Sequence, residues 1–99
     1  MSSTSKPDTA FLPRANAIVN LANDQCDTNH PNEVGASTMY AAARFNAFLL
    51  AKTTGSAANM TLEKERALDY FTDQFRKMMA DNLDDFINHF DTYMAPDSH

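Results

Sequence analysis

The stretch from Ala36 to Ala51 reads ASTMYAAARFNAFLLA, and the organisation of the whole chain follows from it. After its first four residues, only Arg44 and Asn46 are strongly polar. Alanine and leucine favour helix, and no glycine, proline or run of β-branched residues interrupts them. We predict a helix from about Ser37 to Thr54. A helix that is apolar on nearly every side is normally surrounded by other helices.

The two polar residues of this helix lie on different sides, because a rotation of about 100° per residue places Asn46 about 200° from Arg44. We expect Arg44 on a narrow wet stripe, with its guanidinium reaching a carboxylate. We expect Asn46 in a dry seam with Met39 and Leu50, where an unpaired amide costs roughly 1–3 kcal/mol and therefore needs a partner. Two interpretations stay open for Asn46: a core amide that fixes helix register, or a ligand-binding group.

Length and composition favour a single helical domain. The chain has 99 residues and is 43% hydrophobic, with only 2 Gly and 4 Pro to build turns. We therefore predict an all-α fold, a compact bundle of three or four helices with a central apolar helix. Residues 1–10 are expected to form a flexible N-terminal arm, residues 11–95 the domain and residues 96–99 a tail. Seven phenylalanines are the expected core: Phe11, Phe45, Phe48, Phe71, Phe75, Phe86 and Phe90.

Charge and cysteine content exclude several function classes. A net charge of -5 disfavours a nucleic-acid partner. The single Cys26 cannot form an intrachain disulfide and suits a reducing compartment. The first residues lack the apolar segment of a secretory signal, and the longest apolar stretch is short for a membrane span and contains Arg44. We expect a soluble, cytoplasmic protein with no membrane contact.

Two further helices are predicted on either side of the central one. The first begins near Phe11, because Pro13 is tolerated only in a first turn, and it stops around Asp27 to Asn29. Gly35 or Ser37 then offers N-cap chemistry for the central helix, and Gly55 fits a left-handed stop at its end. The next helix is expected to start at a cap supplied by Asn59 or Thr61.

The segment from Met60 to Met94 keeps a helical spacing of apolar residues throughout and has two interpretations. The chain turns near Ala80 to Asn82, with Asp81 or Asn82 capping a last helix, and this is the interpretation that we favour. Alternatively one long helix of about 52 Å persists, and a second subunit covers the part that overhangs a small domain. No glycine or proline marks a turn in this segment.

The run Tyr40-Ala41-Ala42-Ala43-Arg44-Phe45-Asn46-Ala47-Phe48 resembles the hallmark of a small bacterial family that is catalogued as a domain of unknown function. Supporting stretches are Asn20-Leu21-Ala22-Asn23, Phe75-Arg76-Lys77-Met78 and Asn82-Leu83-Asp84-Asp85. The resemblance implies a small helical protein of mainly proteobacterial genomes. It implies no activity, cofactor or catalytic residue.

Candidate chemistry is sparse. Cys26 and His30 are four residues apart, but a zinc site needs further ligands, and Pro31 ends the helix before His30 could share its face. Asp85 and His89 are also four apart, a spacing in which a carboxylate can orient an imidazole, although no nucleophile motif accompanies them. Paired Glu-x-x-His ligands and glycine-rich phosphate loops are absent from the sequence. We assign no catalytic residue, no metal ligand and no cofactor, so an enzyme has no positive support.

Two functions remain. The first is a protein–protein interaction or regulatory module that acts as a homodimer, with Met79, Leu83, Phe86 and Phe90 on the interaction surface. The alternative is a small-ligand binder or enzyme whose pocket lies near Tyr40, Arg44 and Asn46. Tyr40 and Arg44 are one helical turn apart and could grip an anionic group together.

Overall fold

The computed structural model describes residues 8–95, so most of the predicted N-terminal arm and the whole tail at residues 96–99 lie outside the described residues. The elements are α1 Phe11–Gln25, α2 Pro31–Thr54, α3 Ala57–Asn88 and α4 Phe90–Tyr93. Within this part of the chain there is no β-strand. The all-α fold with three or four helices is confirmed. That residues 11–95 form one domain stays a prediction.

α1 begins where the sequence predicts, with Pro13 in its first turn. The Asp8 carboxylate accepts a hydrogen bond from the Ala10 backbone N–H at 3.2 Å and pairs with Arg14 at 2.6 Å, which ties the preceding turn to the helix. The Arg14 guanidinium donates to Asp8 and holds the pKa of that carboxyl below its ordinary value. The helix ends at Gln25, slightly before the expected Asp27 to Asn29.

α2 starts at Pro31, six residues earlier than the predicted Ser37, so neither Gly35 nor Ser37 is its cap. His30 takes that role, because its ring Nδ1 accepts a hydrogen bond from the Asn32 backbone N–H at 3.1 Å. Proline suits the first position of a helix, and this signal was available in the sequence. At the other end α2 stops at Thr54, and Gly55 adopts φ 79°, the left-handed conformation that the sequence predicts.

The chain divides into two units, Met1–Leu50 and Ala51–His99. In the first unit most of the apolar side chains of α2 stay exposed, Phe45 at 61% and Phe48 at 56% for example. Among the described residues Val34 is the only buried apolar side chain, at 8% exposure.

The burial expected for α2 is therefore wrong: Met39 is 58% exposed and Phe45 61%, and Asn46 and Leu50 are half-buried. Asn46 finds its partner in its own helix, where its side-chain Nδ2 donates to the Ala42 carbonyl at 2.8 Å.

α3 runs unbroken through Ala80–Asn82, so the favoured turn is wrong and the long helix of the alternative is present. Alanine is a strong helix former, and the Asn82 side chain donates to the Met78 carbonyl at 2.8 Å instead of capping a new helix. The N-cap of α3 is Ser56, whose Oγ accepts from the Asn59 backbone N–H at 3.1 Å, and not Asn59 or Thr61. The helix is interrupted only at His89, with φ -125°, before the short α4.

Candidate interaction surface

The α3 stripe is a row of large apolar side chains along α3 and into α4. Its members recur at spacings of three and four residues, which places those of α3 on one side of a helix of 3.6 residues per turn. All of them are exposed, Phe75 at 50% and Phe86 at 47% for example. The stripe consists of Leu68, Phe71, Phe75, Met78, Met79, Leu83, Phe86 and Phe90.

The four residues that the sequence assigns to an interaction surface all lie on this stripe: Met79, Leu83, Phe86 and Phe90. The expectation that the phenylalanines form a core inside one chain is wrong, because all seven are exposed. A large side chain has roughly 200 Å² of surface, so the eight half-exposed members leave about 800 Å² of mostly apolar surface. The largest apolar patch on a typical monomer is about 300–600 Å². The stripe therefore exceeds what a soluble monomer ordinarily leaves open.

The C-terminal end of the stripe is held by contacts around Tyr93. Its ring packs edge-on against Phe86 with centroids 4.9 Å apart, and its hydroxyl donates to the Asp85 carboxylate at 3.1 Å. The hydrogen bond to Asp85 raises the pKa of Tyr93, because it favours the protonated phenol. His89 Nδ1 lies 3.2 Å from Asp85 Oδ1, so the contact that the four-residue spacing allows is present. These contacts hold α4 against the end of α3.

Charged side chains line the other sides of α3. Lys77 pairs with Asp73 at 3.1 Å and Arg66 with Glu63 at 3.7 Å, each within one turn. Such exposed pairs contribute only a few tenths of a kcal/mol. They keep one side of the helix hydrated and leave the stripe as its one extended apolar side.

The family comparison covers most of this architecture. The model of a family described as Protein of unknown function (DUF3144) matches residues 11–87. The chain belongs to the DUF3144 family.

The resemblance to a domain of unknown function is thereby confirmed, whereas the role of residues 40–48 as the hallmark stays a prediction. The DUF3144 match includes α1, α2 and the stripe as far as Phe86, and it ends before Phe90. Among curated proteins and among solved structures, none matches the chain. The family places no activity on any residue.

An open groove of about 580 Å³ lies between α1 and α2 in the first unit. It is lined by Ile18, Leu21, Ala22, Gln25, Asn29, Glu33, Val34, Ser37, Thr38, Ala41, Ala42, Phe45 and Asn46. Of the three residues that the sequence assigns to a ligand pocket, Asn46 lines this groove, whereas Tyr40 and Arg44 do not. Tyr40 is 67% exposed, and Arg44 has no carboxylate partner within 4 Å among residues 8–95. The grip of Tyr40 and Arg44 on an anion stays a prediction.

Neither Cys26 nor His30 belongs to a metal-binding cluster. In the part of the chain that the structure describes, no three His, Cys, Asp or Glu side chains come close enough to hold an ion. Cys26 is a free, half-buried thiol at the end of α1, and His30 caps α2. Across the same residues, no helix combines the length and apolar character that a membrane crossing requires.

Proposed function

We propose that this DUF3144 protein is a helical protein–protein interaction module that acts as a homodimer through the α3 stripe. The observation that carries the proposal is the exposure of eight large apolar side chains in one row on one helix. Long apolar stripes of helices are the usual means by which one helix recognises another. Methionine, present twice in the row, adapts its side chain to irregular partner surfaces.

The area of the α3 stripe supports association. About 800 Å² per chain is what each partner contributes to a standard-size interface. Interfaces of this area bind with dissociation constants from micromolar to picomolar.

The net charge and the cysteine content support a protein partner and a reducing compartment. The net charge of -5 favours a protein partner over nucleic acid. Cys26 is the single cysteine of the chain and is free, which suits the reducing conditions of a cytoplasm. We propose a bacterial cytoplasm as the compartment, in keeping with the family resemblance.

Sedimentation equilibrium of the full chain at micromolar concentration tests the proposal. We expect the native protein at twice its chain mass of 11.0 kDa and Phe86→Glu at the single-chain mass, because a carboxylate cannot be buried in an apolar interface without a partner. Leu62→Glu is the matched control, since Leu62 is exposed on α3 but lies about 130° from the middle of the stripe. It should keep the two-chain mass. A native protein at the single-chain mass throughout would refute the homodimer.

A second candidate function, binding of a small apolar ligand, is favoured by the groove between α1 and α2. Its volume of about 580 Å³ falls in the range of small-molecule sites, roughly 300–1,000 Å³. Asn46 Oδ1 could accept a hydrogen bond from such a ligand, because only the amide nitrogen is used by Ala42. An apolar fluorescent probe should bind the native chain and lose affinity in Ala22→Trp, which fills the groove. Equal binding by the two proteins would exclude this site.

A further inference from the structure

Five members of the α3 stripe and three other residues of α3 form a line along the helix, and the spacing of its members along the sequence is the same in both directions. They fall within an arc of about 80° on a helix of 100° per residue, and we call them the α3 line. Successive members are separated by four, four, three, four, three, four and four residues, so the centre of the line is Asp73. The line consists of Met60, Lys64, Leu68, Phe71, Phe75, Met78, Asn82 and Phe86.

We propose that two copies of this chain pair through antiparallel α3 helices, with the two-fold axis at the level of Asp73, whose side chain lies on the side of α3 opposite to the line. The proposal rests on the proposed homodimer and names its geometry. Because the spacing is symmetric, reversing one helix about Asp73 places every member of the line opposite another member. The facing pairs are Met60 with Phe86, Lys64 with Asn82, Leu68 with Met78, and Phe71 with Phe75.

The polar members of the line favour this orientation. Among residues 8–95, no carboxylate forms an ion pair with Lys64. Asn82 uses its Nδ2 on the Met78 carbonyl at 2.8 Å, and its Oδ1 can accept from an ammonium. Antiparallel pairing brings Lys64 to Asn82 and to Asp81 beside it, at both ends of the dimer. Parallel pairing would bring Lys64 against its own copy, and like charges facing each other are destabilising.

The extent of the contact suits a stable dimer. The line from Met60 to Phe86 is about 39 Å long at 1.5 Å per residue, and α3 contains it without a break. The α3 stripe offers about 800 Å² per chain, which is the area that each partner contributes to a standard-size interface. Met79 and Leu83 flank the line and would close the edges of the contact.

Disulfide trapping tests the orientation in a Cys26→Ser background, which removes the only native thiol. Chains carrying Leu68→Cys and Met78→Cys are given different tags, mixed and exposed to a mild oxidant. These positions are ten residues, or about 15 Å, apart along one helix. A disulfide needs Cβ atoms about 3.5–4.5 Å apart, so each orientation gives its own pattern. Leu62→Cys, on the opposite side of α3, is the matched control.

Antiparallel pairing predicts a mixed disulfide between the two variants, with more than tenfold less product from either variant alone or from Leu62→Cys mixed with Met78→Cys. Self-linked Leu68→Cys and Met78→Cys chains would overturn the orientation while leaving the homodimer intact. A native protein of two-chain mass that yields no α3 disulfide at all would overturn the use of this helix and also leave the homodimer intact. A native protein of single-chain mass would overturn both proposals.

Discussion

Truncation of Phe75 is the most direct perturbation of the α3 stripe. Phe75 lies near the middle of α3, is 50% exposed, and faces Phe71 of the other copy in the proposed dimer. Half of roughly 200 Å² is about 100 Å², worth about 2.5 kcal/mol at about 25 cal/mol per Å². A symmetric dimer loses this contribution twice, about 5 kcal/mol in total. Since about 1.4 kcal/mol corresponds to a factor of ten, Phe75→Ala should weaken the dimer by roughly three to four orders of magnitude.

The assay is sedimentation equilibrium over a dilution series, with circular dichroism on the same samples. Alanine is a better helix former than phenylalanine, so the helix itself loses no intrinsic stability by the change. Leu62→Ala is the control, because Leu62 is exposed on the same helix outside the stripe. It should leave the dissociation constant within a few-fold of the native value. If Phe75→Ala and Leu62→Ala dissociate at the same concentration as the native protein, the stripe is not the interface.

Three further predictions follow from single positions. Gly55→Ala should destabilise the folded chain by about 1–2 kcal/mol, because φ is 79° at this position. Gly35 lies inside α2 with open space around it, so Gly35→Ala should stabilise the folded chain by up to about 1 kcal/mol. Thermal unfolding of the two variants checks both directions. Arg14→Ala should return the lowered pKa of Asp8 toward its ordinary 3.8 in a carboxyl NMR titration; the stabilisation from this pair is full above that value and is lost as pH falls through the folded-state pKa. Lys64→Met should tighten the dimer but allow parallel pairs, so that Leu68→Cys links to itself; an unchanged disulfide pattern would contradict the role given to Lys64.

Local backbone signals predicted the ends of several helices. Pro13 sets the start of α1, and Gly55 supplies the left-handed residue after α2, because each has a conformational preference that needs no tertiary context. The predicted start of α2 at Ser37 is wrong because a proline that follows one helix can also be the first residue of the next, as Pro31 is. The turn near Ala80–Asn82 was wrong for a similar reason. Asparagine can cap a helix, but it can equally donate to the carbonyl one turn back.

The sequence does not show which apolar side chains are buried within one chain. Phe45 and Phe75 were both expected in a core, and both are more than a third exposed. A core helix and a helix that binds a second chain need the same spacing of apolar residues, since both bury one side against another helix. Periodicity alone therefore cannot distinguish the two. The unbroken length of α3 favours an interface with a second chain, because a long helix presents more apolar surface than a short chain can cover.

The polar residues within the apolar rows of α2 and α3 differ in how much they indicate about the orientation of a second helix. Asn46 and Asn82 each donate an amide proton to the carbonyl four residues earlier, so an asparagine satisfies its donor within its own helix and is compatible with a core, an interface or water. Lysine has three donors, a full charge and no acceptor. Lys64 stands in the α3 line where every neighbour except Asn82 is apolar, and only one orientation of a second helix brings an acceptor to it. In the proposed dimer, the residue that apolar periodicity leaves unexplained is thus the one that sets the relative orientation of the two α3 helices.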